Sequence, residues 1–406
     1  MWSRRSFLTR SGLALAATAA APGFLCRAAA LEGKRPKTLV ALFLRGAADG
    51  LNVVVPSFDE AYSSLRPNLA IPRAGSGAAL DLDGSFGLHP ALRSLTGLWN
   101  DKALAAIQAT GSPDPTRSHF DAQDYMESAT PGRKGVTDGW LNRFMTLEQV
   151  PEESPLRAVA IATKPPRALQ GSAPATVLPN VNRFRLAAGA PQVAKAFGAL
   201  YGEQPTAELN RSGRNALESL RLIEDIQKTA YQPANGARYP RGRFGDKMLQ
   251  IAQLLKADVG LEIAFADGGG WDSHTNQEQQ IEPLLRDLGD SLAAFAQDLG
   301  SRMEDVLVLT MSEFGRTAAE NGNRGTDHGH GNCMFVLGGG VRGGQVYGDW
   351  PGLGPDQLYQ RRDLAVTTDF RDIFAEALVG HFGADRIDAV FPGYQPQKTL
   401  GFLRSA

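Results

Sequence analysis

Thr38-Leu39-Val40-Ala41-Leu42-Phe43-Leu44 runs straight into Arg45-Gly46-Ala47-Ala48-Asp49-Gly50-Leu51-Asn52. A near-continuous apolar run without alternation, stopped by a Gly-rich turn, is the pattern of a strand covered on both faces. The pattern recurs at Ala103 to Ala109, Ala158 to Ala162, Leu261 to Ala266, Val306 to Met311 and Met334 to Leu337. Amphipathic stretches separate these runs. Ile281, Leu284, Leu285, Leu288, Leu292, Phe295 and Leu299 fall at helical spacing, which puts Pro283 in the first turn of that helix. Leu92, Leu95 and Leu98 mark another helix, and residues 207–231 and 246–255 read as two more. Strands alternating with helices predict an α/β fold, a mostly parallel sheet with helices on both faces. Residues 151–243, richer in Pro, Ala and Arg, read as a helical insertion or cap.

The first thirty residues read as an address. Arg4-Arg5 with Phe7-Leu8, a short apolar stretch from Gly12 to Ala21 and Ala28-Ala29-Ala30 match a twin-arginine signal with a small-residue cleavage site. The apolar part is shorter than the roughly 20 residues a membrane span needs. The expectation is an exported protein, periplasmic or secreted, starting near Leu31. The 42 basic and 43 acidic residues leave no positive excess for nucleic acid. Two cysteines, Cys26 in the signal and Cys333 beyond it, exclude a disulfide framework and an all-cysteine zinc site.

Ligands of an open α/β sheet sit beyond the carboxyl ends of its strands, and the polar residues gather there. Asp49, in the turn after the first strand, is either a metal ligand or a turn residue satisfying local backbone. Ser118, in Thr116-Arg117-Ser118-His119-Phe120-Asp121, is either a nucleophile at a positive helix end or the cap of a helix, with Asp121 three residues on. His119 beside it is a ligand, a base or a stacked surface residue. Asp272 and His274 are two apart in Gly268-Gly269-Gly270-Trp271-Asp272-Ser273-His274, a spacing that can direct a carboxylate and an imidazole to one ion. Ser312-Glu313-Phe314-Gly315-Arg316-Thr317 follows the 306–311 strand, and Thr326-Asp327-His328-Gly329-His330-Gly331 precedes the next. Three of the six histidines lie in these last two acid-bearing tracts around residues 272 and 328. Oxygen and nitrogen donors without thiolate favour Zn, Mn or a similar divalent ion. The competing reading of Asp327-His328-Gly329-His330 is a loop held by His–Asp hydrogen bonds. Gly338-Gly339-Gly340 lacks the Lys and spacing of a phosphate loop and reads as turn chemistry.

These tracts together resemble the family called domain of unknown function 1501. The phrases that carry the resemblance are Phe43 to Asn52, Arg117 to Gln123, Gly270 to His274, Ser312 to Thr317 and Thr326 to Gly331. That family looks related to the alkaline phosphatase-like superfamily of phosphatases, sulfatases and phosphomutases. The resemblance implies that superfamily's twisted sheet and a site for one or two metal ions. It implies that Asp49 binds metal and neighbours a nucleophile at Ser118, and that Asp272 and His274 hold an ion. It also implies that Glu313 stands in an acidic ligand position, followed by Phe314 where the superfamily has His, and that His328 or His330 supplies the last imidazole. Asp327 joins the expected metal set.

Two functions are consistent with this reading. One is an exported metal-dependent hydrolase of phosphate or sulfate esters, on small molecules or polymers, with Arg45 or Arg316 neutralising oxyanion charge. The other is a non-catalytic metal- or partner-binding protein on the same fold, with Trp271 and Phe314 lining a binding surface.

Overall fold

Among the described residues, twelve strands, β1 (Thr38–Arg45), β2 (Val54–Val55), β3 (Leu80–Asp81), β4 (Gly87–Leu88), β5 (Leu104–Gly111), β6 (Ala158–Ile161), β7 (Thr176–Val177), β8 (Ile263–Gly269), β9 (Val306–Met311), β10 (Asn332–Gly338), β11 (Val346–Tyr347) and β12 (Thr368–Asp369), fall into two sheets. The structure is a computed structural model describing residues 35–148, 154–184 and 208–404; the expected signal, residues 1–30, lies outside them. The large sheet has the order β11-β5-β10-β9-β1-β8-β6-β7, with β12 also on β5, and β2, β4 and β3 form a small one. Among the described strands of the large sheet, only β10 runs antiparallel, to both β5 and β9. The fold is therefore α/β with a mostly parallel sheet, and each of the six apolar runs is one of its strands.

The central strand shows why its residues are apolar throughout. Val40, Leu42 and Leu44 of β1 enter one core, which also holds Met248 and Ile251 of a helix over Gly245–Lys256 and Ile281, Leu285, Leu288 and Leu292 of a helix over Gln277–Leu299. Leu39, Ala41 and Phe43 enter the opposite core, with Trp140, Leu141 and Phe144 of a helix over Trp140–Leu147 and Ile373 and Phe374 of a helix over Phe370–Ala377. Alternate residues of one strand thus feed two cores, so neither face of β1 tolerates polar groups.

Two details differ from expectation. The 277–299 helix starts at Gln277, so Pro283 lies in its second turn rather than its first. There it is exposed, on a face where water can take the carbonyl freed by the missing N–H. The described part of residues 151–243, read as a helical insertion or cap, adds a further strand of the main sheet, β7, to the expected β6, as well as a helix over Glu208–Gln227.

Parallel strands β1, β8 and β9 end at the same edge, where β5 also ends. Because β10 is antiparallel, the loop leading into it begins at that edge too. The tracts after β1, β5, β8 and β9 and the tract before β10 are therefore neighbours. Gly46 shows how closely: its φ is 114°, and a Cβ there would stand 2.7 Å from the backbone nitrogen of Asp272. Only glycine lets these two loops touch.

Candidate metal centre

Three histidines and one aspartate meet at this edge. His119 opens the helix α1 (His119–Ser128). Its Nδ1 lies 2.8 Å from Oε1 of Glu313, a fully buried carboxylate that also accepts from Gln123 Nε2 at 2.8 Å and Gly46 N at 2.9 Å. His328 Nδ1 lies 2.8 Å from the carbonyl oxygen of Arg117. His274 Nδ1 lies 3.0 Å from Oδ1 of Asp327. Each of these partners is an acceptor, so each Nδ1 carries the proton and each neutral ring keeps a bare Nε2.

Those Nε2 atoms face one another. His328 Nε2 is 3.1 Å from His119 Nε2 and 3.0 Å from His274 Nε2. Asp272 Oδ1 is 2.9 Å from His274 Nε2 and 3.2 Å from His328 Nε2, and Asp272 Oδ2 is 3.4 Å from His119 Nε2. Ligand atoms of His119, Asp272 and His328 all lie within 4.8 Å of one another. Lone pairs this close repel unless a proton or a cation stands among them. The donor set, imidazole nitrogen and carboxylate oxygen with every ring fixed through its second nitrogen, fits a divalent ion.

The surrounding charges keep the acids ionised. Burial pushes the Asp272 carboxyl up, but the hydrogen bond and charge of Arg316 (Nη1 to Oδ1, 2.6 Å) outweigh it, and the net shift is down. Arg316 is itself buried and tied through Nε to Thr326 Oγ1 at 3.1 Å. Burial also opposes ionisation of Glu313, and the bonds from His119, Gln123 and Gly46 reverse it. Asp327 is held below its ordinary range chiefly by His274. The Glu313 hydrogen bond raises the basicity of His119, whereas burial lowers that of His328.

Sequence reasoning grouped Asp272, His274, Asp327 and one of His328 or His330; the structure brings Asp272, His274 and His328 together. Glu313 and Asp327 are near, each set behind an imidazole rather than among the facing nitrogens. His119, held open between three roles in the sequence, is central. Its sequence signals were its place after a strand and within the Arg117-to-Gln123 phrase, neither of which fixed its role; its partner Glu313 stands 194 positions away.

Other expected residues are engaged elsewhere. Asp49 is buried and forms a two-point ion pair with the fully buried Arg66, Oδ2 to Nη1 at 2.6 Å and Oδ1 to Nη2 at 3.0 Å, with Gln277 Nε2 donating to Oδ2 at 2.5 Å. It is turned to a cation, so it stands as a structural carboxylate rather than as the expected metal ligand. His330 sits at a bend, where its ring leaves the direction of His328 and stacks on Tyr359 with 4.3 Å between centroids. Ser118 is the N-cap of α1, its Oγ accepting from Asp121 N at a long 3.5 Å. Arg45 pairs with Glu127 at 2.9 Å and Asp267 at 2.7 Å. Trp271 is fully buried, and Phe314 is buried against His119 and His328 with centroids 4.9 and 5.1 Å away. Neither aromatic side chain lines the surface that the binding-protein alternative expected of them.

Comparison with solved structures finds distant likenesses. The sulfatase PsFucS1 from Pseudoalteromonas sp. is 12% identical, with a TM-score of 0.38 over 93% of this chain and 73% of that one. The alkaline phosphatase from the Antarctic bacterium TAB5 is 11% identical, with a TM-score of 0.34 over 77% and 95%. The C-terminal periplasmic domain of EcEptC from Escherichia coli, in complex with Zn, is 10% identical, with a TM-score of 0.35 over 76% and 74%. Likenesses this remote carry no information on reaction or ligand. No curated protein matches the chain. Residues 36–391 match the family described as "Protein of unknown function (DUF1501)", the family that the motifs around Asp49, Ser118, Asp272, Glu313 and His328 resemble, and the chain belongs to it.

Proposed function

We propose that this protein is an exported metal-dependent hydrolase of a phosphate or sulfate ester, with a divalent ion, zinc or manganese, held by His119, Asp272, His274 and His328. The observation that carries this reading is the set of three imidazoles, each with Nδ1 on a fixed acceptor and Nε2 turned to the others. The motif resemblance to alkaline phosphatase-like enzymes supports an ester as substrate. A bound ion supplies Lewis acidity toward an ester oxygen and a lowered pKa for a coordinated hydroxyl. The chain's own groups do the rest. Glu313 and Asp327 orient His119 and His274. Arg316 fixes Asp272 in one rotamer. Ser118, exposed at the amino end of α1 and weakly held by its cap bond, is the nucleophile in this reading. The signal-like start supports export, and replacing Arg4 and Arg5 by Lys is expected to retain the precursor in the cytoplasm; undiminished export of that variant would refute this part.

A second reading, a metal-binding protein without catalysis, is favoured by one observation: the hydrogen bond that Ser118 Oγ makes is to its own helix. The two separate on one experiment. Protein purified without added metal is analysed for bound elements, and wild type and Ser118→Ala are assayed over a panel of phosphate and sulfate esters. The hydrolase reading expects bound zinc or manganese and turnover that collapses in Ser118→Ala. Loss of the cap alone costs about 0.5–2 kcal/mol of stability and no catalysis. Metal without turnover selects the second reading, and protein that binds no metal under any loading condition rejects both.

A further inference from the structure

A cleft of about 420 Å³ opens at the same sheet edge as the histidines. It spans the carboxyl ends of three adjacent parallel strands: Arg45 ends β1, Asp267 lies late in β8, and Ile161 ends β6. Arg45, in one wall, is linked by hydrogen bonds to the candidate metal centre. Arg45 Nη1 donates to Gln123 Oε1 at 2.9 Å, Gln123 Nε2 donates to Glu313 at 2.8 Å, and Glu313 holds His119.

The charges in the cleft do not cancel. Arg45, Lys164, Arg167 and Lys247 line it, against Glu127 and Asp267. Arg45 is taken up by both carboxylates, Lys247 shares Asp267 at 2.8 Å, and Arg167 turns to Asp124 at 2.8 Å. Lys164 is exposed and, among the described residues, has no acidic partner. Pro165, Pro166 and Pro179 form a stiff apolar wall next to it. A site with one unneutralised ammonium, further N–H donors and a preformed carbon surface recognises an anionic group on a compact organic body.

We propose that this cleft is a second subsite, which takes an anionic organic part of the substrate while the ester group lies at the histidines, with Lys164 as the anion's charge partner. The proposal rests on the hydrolase reading for the word substrate, but the cleft can be tested without turnover. Benzoate and its neutral counterpart benzamide are titrated into the purified, metal-containing protein and into Lys164→Glu, with binding followed by NMR. Benzoate is expected to bind about tenfold more tightly than benzamide, and Lys164→Glu is expected to abolish that preference while bound metal stays constant. Equal affinities in the wild type overturn the proposal. So does a preference that survives in Lys164→Glu, because benzoate then sits on the metal or elsewhere. A preference lost with Lys164 in a protein that hydrolyses no ester rejects the hydrolase reading and leaves the anion subsite standing.

Discussion

Each converging imidazole has one nitrogen anchored and one left over, which makes the histidines separable by mutation. His119→Ala removes a facing Nε2 and frees the buried Glu313; His330→Ala removes only a ring stacked on Tyr359. Elemental analysis is expected to show His119→Ala stripped of most bound metal and His330→Ala loaded like wild type; the reverse pattern would place the ion near His330. Asp49 makes a second residue-level case. It has the position of a metal ligand in the sequence, yet its carboxylate is locked by Arg66 inside the protein. Arg66→Met leaves Asp49 as a buried, uncompensated charge, at a cost of about 3–5 kcal/mol. Denaturant unfolding is the measurement, and Arg66→Met combined with Asp49→Leu is expected to recover part of the loss. If Arg66→Met alone costs under about 1 kcal/mol, Arg66 does not clamp Asp49. Sequence separation decides which of these contacts show in the sequence. Asp272 and His274 were legible because two residues in an extended turn constrain each other locally. The pairs His119 with Glu313 and Asp49 with Arg66 form only after the loops meet, and no local pattern announces them.

At the scale of elements, the long strands were legible and the short ones were not. Six strands bury both faces and so appear as unbroken apolar runs. β7, β11 and β12 have two residues each, too few to show any period. The reversal of β10 leaves no trace in its composition, although it is what brings His328 to the edge where the parallel strands end. Two histidines outside the candidate metal centre tie elements together and give the fold an acid limit. Burial pushes His89 down to about 4, and its ring accepts from Ala91 N at 3.1 Å as the cap of the turn Pro90–Leu95. Burial likewise pushes His381 to about 4, where its Nε2 lies 3.1 Å from the carbonyl of Thr38 at the start of β1. The unfolded chain protonates near 6.5 and the folded one only near 4. Stability from both sites is therefore complete above about pH 6.5 and declines as pH falls toward 4, by up to about 3 kcal/mol for each histidine. Urea midpoints measured across that window in wild type and His89→Asn, which keeps a capping side chain, are expected to diverge: the variant loses less on acidification. Parallel curves would show that His89 does not contribute.

At the scale of the whole molecule, the centre is assembled from stretches that lie far apart in the chain, around residues 119, 272 and 328, with Glu313 and Arg316 behind them. The two hydrophobic cores fix the strands on either side of β1, but each loop reaches the edge on polar contacts, and three bare ring nitrogens repel where those loops meet. An ion held there, as proposed, would join loops that follow β5 and β8 to the loop that leads into β10. Its removal is therefore expected to act on the folded molecule as a whole, since a ligand bound only by the native state stabilises it by mass action, about 2.7 kcal/mol when free ion is about 100 times its Kd. Thermal melts with and without a chelator read this directly. Wild type and His330→Ala are expected to melt several degrees lower after chelation, while His119→Ala, already without its ion, barely responds. Acidification complicates the comparison, because His89 and His381 weaken the fold below about pH 6.5, so the melts belong at pH 7.5. If chelation lowers wild type and His119→Ala by the same amount, the stabilising ion is bound by other residues, and the facing nitrogens of His119, His274 and His328 are reconciled by a shared proton instead.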